Sequence, residues 1–356
     1  MLRLRALISP AAATRPGLAW PRLAGAIALT LAIALLAAMW GAVAIPWEAV
    51  VKILLSRLPG VEIGGPWPHG WETIVWEIRL PRVVMAGLVG ATLAMAGATY
   101  QALFHNPLAD PYFLGVAAGA GLGATIAIVS PLSISAYYLS PLSLLAFLGA
   151  LGAVGAAYGL ARTGRTVPMT TLILAGVAIG SLCAAATSLL LILNGQQALA
   201  ILAWLLGGFG TAHWGSLNLL WPYLLLAAVV LLAHRRILNV MQLDEEQARS
   251  LGIDVERTKL LLVGAATLAT AAAVSVGGLI GFVGLIVPHA VRLLWGPDYR
   301  QLLPLSMLLG GAFLILADLL ARTVAAPGEI PVGVVTAFFG APFFLYILRQ
   351  RKRAIF

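Results

Sequence analysis

The residues best placed for chemistry in this chain are arginines and a single acid. Asp318 lies in "LILADLLAR", the one acidic residue inside an apolar run, with Arg322 four residues on. One helical turn separates them, so the spacing predicts a local ion pair. A proton or ion path is the other use of an acid in such surroundings. Arg79 and Arg82 flank a proline in "IRLPRVV", just ahead of another apolar run. Guanidiniums recognise carboxylates and phosphates; they do not by themselves break bonds. Catalytic sets are missing. No G-x-x-x-x-G-K-[ST] phosphate loop occurs, which excludes ATP hydrolysis by that route. His69, His105, His213, His234 and His289 are scattered, without the spacing of a metal site. No serine nucleophile with a partner histidine and acid can be assembled. Cys183 is the single cysteine, in an apolar run, so no intrachain disulfide is possible. The expectation is a protein that is no enzyme and holds no permanent cofactor or metal.

Charge recognition needs a scaffold, and composition says which. The chain is 61% hydrophobic and 10% charged over 356 residues, where soluble domains carry about 25% charged residues. The excess comes as continuous apolar runs long enough to cross a hydrocarbon core of about 30 Å. Continuous runs rich in Leu and Ala exclude a β-barrel, which alternates. The predicted fold is an all-α polytopic membrane protein with ten spans: 24–45, 83–104, 112–130, 142–161, 168–193, 216–234, 258–276, 279–295, 302–322 and 332–348. The seventh and eighth are either one interrupted helix or a tight reversal. The first run is longer than the apolar stretch of a secretory signal, which argues for a retained span. Ten spans put both termini on one side. With the N-terminus in the cytoplasm, 17 of the 22 lysines and arginines fall inside and 5 outside, as the positive-inside rule requires. The net charge of +9 therefore faces anionic lipid rather than nucleic acid. Arg79, Arg82 and Arg322 stay at the outer ends of spans, where basic residues are scarce.

Glycine is a second organising signal. "GVAAGAGLG" sets Gly115, Gly119 and Gly123 four apart, and Gly155/Gly159 and Gly277/Gly281 repeat the interval. Small residues at that spacing let helix backbones approach, so all three sets are expected to pack within the subunit, with lining of a pathway as the alternative. Two polar segments interrupt the apolar pattern. Residues 46–81 are Gly- and Pro-rich with several tryptophans, an outer loop lying on the membrane surface. "LNVMQLDEEQARSLGIDVERTK" is the only charge-dense stretch. It lies on the cytoplasmic side, with a short helix over 244–251, Asp244 as N-cap and Gly252 as stop.

"RLPRVVMAGLVGATLAMAGATYQALFHNPLADPYFLGVAAGAGLGA" (79–124) resembles the second and third spans of FecCD-type permeases, the membrane subunits of type II ABC importers for haem, iron–siderophore complexes or cobalamin. "LILAGVAIGS", "WLLGGFGTAHW", "ARSLGIDVER", "GGLIGFVGLIVPHAVRLL", "LADLLAR" and "PVGVVTAFFGAP" follow in that family's order, so the resemblance covers about 76–349. It implies a single permease domain over 1–356, in the cytoplasmic (inner) membrane, with 1–23 as a cytoplasmic N-terminal segment. It further implies a homodimer with the pathway on its axis, two copies of a separate ATPase subunit that uses the ATP, and an extracytoplasmic binding protein.

The resemblance also distributes roles. Arg79, Arg82 and Arg322 match arginines that receive carboxylates from the binding protein; helix capping or lipid anchoring is the alternative. Residues 235–257 match the coupling segment, with Ala248, Arg249, Ser250, Leu251 and Gly252 against the ATPase. Asn106 and Leu108, with Met169 and Thr170, match the cytoplasmic gate. Met169 departs from the small hydroxyl residue expected there, and Asn106-Pro107 and Asp110-Pro111 form turns whatever their role. The expected cargo is haem or another iron chelate, with cobalamin as the alternative. An ion-coupled secondary transporter is a remote third, because Asp318 is the one intramembrane carboxylate available.

Overall fold

The computed structural model describes residues 20–41, 43–57, 65, 67–131, 140–164, 166–243 and 245–355. The expected N-cap Asp244, the basic residues Arg3, Arg5, Arg15 and Arg165, and most of 58–66 lie outside them. Among the described residues there is no strand. The chain runs through α1 (Trp20–Met39), α2 (Trp47–Leu55), α3 (His69–Thr73), α4 (Leu80–Leu103), α5 (Val116–Val129), α6 (Pro141–Ala161), α7 (Met169–Leu193) and α8 (Ala198–Leu205). It continues through α9 (Trp214–Ala233), α10 (Arg235–Val240), α11 (Glu245–Ser250), α12 (Val255–Gly277), α13 (Val283–Trp295), α14 (Tyr299–Thr323) and α15 (Val332–Ile355).

Every predicted span contains an apolar helix, though 24–45, 112–130 and 279–295 are helical only in part. Seven of the described helices are long and apolar enough to cross a membrane, and Val116–Val129, Val283–Trp295 and Val332–Ile347 are shorter apolar ones. Local chemistry sets their ends. Asp254 and Asp298 cap α12 and α14, accepting from the backbone N–H groups of Arg257 and Arg300 at 3.1 and 3.0 Å. The seventh and eighth spans are separate helices. Gly278, at φ +68°, ends α12, and Phe282, at φ +70°, precedes α13. The segment read as a surface loop is partly helical: α2 forms, and α3 joins α4 through the π-helical turns Ile74–Arg79. Its apolar side explains this, since Ala49, Val50, Ile53 and Val75 form a small core of their own.

The main core centres on α4, which packs on α12, α13 and α14. Three glycine contacts make that possible. A Cβ on Gly97 would stand 2.0 Å from the Gly284 carbonyl oxygen, and one on Gly90 2.3 Å from that of Gly310. A Cβ on Gly311 would stand 2.9 Å from the Gly87 carbonyl oxygen. The predicted stripe on α5 is real: Gly119 and Gly123 abut the carbonyls of Gly149 and Leu145 on α6. Gly155, Gly159 and Gly281 have open space instead, which corrects the expectation that they pack the subunit. Spacing identifies a smooth helix face but not whether a neighbour lies on it.

Candidate functional site

Two charged clusters lie at opposite ends of α4, whose 24 residues make it about 36 Å long. The first is built on Arg82, in the opening turn of α4. Its guanidinium is satisfied twice. Nε lies 3.0 Å from both Asp318 oxygens and Nη2 2.9 Å from Oδ1, while Nη1 and Nη2 donate to Glu329 at 2.9 and 3.0 Å. Asp318 is 1% exposed and the Glu329 side chain 50%. The predicted Asp318–Arg322 pair exists only as a loose contact of 3.7 Å. The principal partner of Asp318 is therefore Arg82, from a helix far away in sequence. Close approach of α4 and α14 at Gly90 and Gly310 brings the two within reach.

Arg79 and Arg322 do something else. Arg79 donates to the carbonyls of Ala38 (2.9 Å), Met39 (2.7 Å) and Val43, and Arg322 donates to that of Ala37. The last carbonyls of a helix have no partner within it and carry its negative dipole end, so two guanidiniums close the C-terminus of α1. Arg79, Arg82 and Arg322 are all buried. Helix capping, the alternative role, is thus present for Arg79 and Arg322. The cluster itself still holds three cations against two anions, although Glu72 and Glu77 lie close by in the chain.

The second cluster surrounds α11. Gly252, at φ +83°, stops that helix as its position implied, with its N–H on the Arg249 carbonyl at 2.9 Å. Ala248 is buried, whereas Arg249, Ser250, Leu251 and Gly252 are exposed. Lys259 of α12 is 3% exposed. Its ammonium donates to Glu245 of α11 and to Glu256, the latter at 3.2 Å. Arg249 adds contacts to Glu245 and Glu256 at 3.5 and 3.8 Å. Sequence reasoning missed Lys259. The three-residue interval from Glu256 was visible, but in a charge-dense segment it reads as a solvated pair.

The loops expected to gate the pathway lie beside this cluster. Asn106 Oδ1 accepts from the Leu108 N–H at 3.0 Å, which forms the turn expected there. Asn106 is exposed and Leu108 half-buried. Asp110 then caps the turn Pro111–Leu114 through the Tyr112 N–H at 2.9 Å. Burial pushes the Asp110 carboxyl up to about 6, against the lowering effect of that N–H. Met169, half-buried, and Thr170, exposed, begin α7. Nearby, Asn239 of α10 donates to Asp298 (2.7 Å) and accepts from the Tyr299 N–H (2.8 Å). The Tyr299 hydroxyl reaches the Ala98 carbonyl of α4 at 2.9 Å. Burial raises Asp298, but hydrogen bonds from Arg300 and Asn239 more than offset it and hold the carboxyl below its usual range.

Away from both clusters the surface is apolar. Leu174, Val177, Leu182, Leu189, Ile192 and Leu193 of α7 are exposed. An open groove of about 610 Å³ runs between Leu205, Leu206, Leu279 and the Gly333–Pro342 side of α15. Such an expanse is unfavourable in water and marks a surface for lipid or another apolar protein face.

A sequence model of the FecCD transport family matches residues 29–350. The chain is 43% identical over 324 residues to the cobalamin import system permease protein BtuC of Halobacterium salinarum, a match covering 87% of this chain and 86% of that one. It is 41% identical over 288 residues to the hemin transport system permease protein HmuU of Yersinia pestis, covering 78% and 84% respectively. The fold is similar to a solved ABC transporter chain of metal-chelate type in an inward-facing conformation. The TM-score is 0.79 at 29% identity, over 92% of this chain and 98% of that one.

Proposed function

The chain belongs to the FecCD transport family, and from that premise we propose that it is the permease subunit of an ATP-driven importer that moves haem or another iron chelate across the inner membrane. The observation that carries this reading is the near full-length match to permeases of import systems. The Arg82 end of α4 faces outward and the α11 end faces the cytoplasm, as the distribution of basic residues supports. ATP is hydrolysed by two copies of a separate subunit, which contact the exposed Arg249–Gly252 edge. Two copies of this chain meet through the apolar face that includes α7 and the α15 groove, and the pathway runs between them. A second copy is the occupant that an exposed apolar helix beside a long groove suits best.

A soluble binding protein docks on the outer rim. With their side chains turned inward, Arg79, Arg82 and Arg322 act chiefly through the local positive charge of their cluster, which steers an acidic partner and fixes its register. Cobalamin is a second reading of the cargo, favoured by the 43% identity to a cobalamin import permease. ATP-dependent uptake into proteoliposomes holding the permease, its ATPase and its binding protein tests both. Haem accumulation that stops without the binding protein is the expected result. Accumulation of cobalamin alone would move the assignment, and uptake that needs no ATPase would overturn it.

A further inference from the structure

Val167 is buried, 3% exposed, two residues before α7 begins. A buried N–H needs an acceptor inside the protein. That acceptor is Glu256 Oε2, at 3.1 Å. The other oxygen of the same carboxylate accepts from Lys259 at 3.2 Å, and the Lys259 ammonium also holds Glu245 on α11. One buried cation thus joins the coupling helix to a carboxylate that grips the backbone just ahead of Met169 and Thr170. The second gate loop is tethered to the same segment, since His105 Nε2 donates to the Leu243 carbonyl at 3.1 Å.

We propose that Glu256, oriented by Lys259, is a positioning residue that transmits displacement of α11 to the start of α7. The inference rests on the reading of α11 as the contact with the ATPase. Its physical basis is stiffness. Charge-assisted hydrogen bonds are short and directional, and they weaken steeply when misaligned. A buried ammonium is stable only with its carboxylates in place. When α11 shifts, Glu245 must drag Lys259 or lose it, and either outcome re-aims Glu256 at Val167. Arg249, which faces both acids, reinforces the linkage from the exposed side.

Two measurements on the purified chain and the complete transporter test this. Amide hydrogen exchange at Val167 reads the link directly. Glu256→Ala is expected to accelerate it by about tenfold or more, while Glu256→Gln, which keeps an acceptor, changes it less. In proteoliposomes with ATPase and binding protein, ATP consumed per haem delivered reads the coupling. Glu256→Ala and Lys259→Met are both expected to raise that ratio about tenfold, with ATPase activity retained. Glu256→Gln falls between them and the parent.

Unchanged exchange at Val167, or accelerated exchange with an unchanged ratio, would overturn the proposal. A parent transporter that hydrolyses ATP but delivers neither haem nor cobalamin would instead defeat the functional reading, and this inference with it.

Discussion

The two ends of α4 use the same side-chain chemistry to opposite effect. At the end read as outer, Arg82 reaches Asp318 and Glu329 between helices locked by glycine contacts, and Asp318 is almost wholly removed from water. At the end read as inner, Lys259 is equally buried, but its carboxylates are on α11 and at the start of α12, partly open to solvent. A six-residue helix has little intrinsic stability, so its ion pairs hold its position rather than merely decorate it. The difference teaches that burial of the anion, more than of the cation, separates a frame from a joint. Removing one partner from a closed pair strands a charge. Removing one from an open pair lets water take its place.

The sharpest way to break this contrast is at Arg82. Arg82→Ala leaves Asp318 buried without its principal partner, for an expected loss of about 3–5 kcal/mol, read as thermal unfolding in detergent. Pairing Arg82→Met with Asp318→Leu removes both charges and is expected to recover most of that loss. If the single variant unfolds like the parent, the outer cluster is no frame.

Asp110 sharpens the same idea without a cation. Its carboxyl is pushed up to about 6 by burial, with only the Tyr112 N–H set against it. The folded state then holds the proton more tightly than the unfolded state, so stability is greatest below about pH 4 and falls as pH rises towards 6. A shift of about two units is worth at most about 3 kcal/mol across that window. Asp110→Asn keeps an acceptor for Tyr112 and is expected to flatten this part of the pH–stability curve. A slope that survives the substitution would assign it to another group.

How much of this could be read before the structure divides along the same line. The ten spans were visible because each apolar run specifies its own helix, and Gly252 marked the stop of α11 because that signal is local. Gly119 and Gly123 were readable as a packing stripe, while Gly155 and Gly159 carried the same pattern with no neighbour on it. The partner of Asp318 was not readable. Arg322, one turn away, offered a sufficient local explanation, and nothing in an apolar helix announces which face meets α4. Lys259 was hidden for the converse reason: a lysine among charges looks solvated until α11 folds over it. Interactions within one helical turn can be read from spacing, and those across helices need the packing that glycine permits.

At Lys259 the comparison predicts a small effect on stability beside a large one on coupling. Lys259→Met fills the buried stem, and Glu245 and Glu256 can rehydrate, so the expected cost is within about 1 kcal/mol. Thermal unfolding would show it. A loss approaching that of Arg82→Ala would make the inner cluster a second frame and remove the distinction.

The finest test lies at Glu329, the one member of the outer cluster that is half in solvent. Glu329→Gln retains an acceptor for Arg82, and Asp318 still holds the guanidinium, so stability is expected to change by less than about 1 kcal/mol. Docking should respond more clearly. The cluster would then hold three cations against a single anion, and an acidic binding protein is expected to bind about threefold more tightly at low ionic strength. The gain should disappear at about 1 M salt, where the screening length falls to about 3 Å. Titrating purified binding protein against the parent and the variant at both salt concentrations separates the roles. A salt-dependent gain places the arginines in the docking field despite their burial. Equal affinity throughout would leave them as structural caps, with the partner recognised elsewhere on the outer surface.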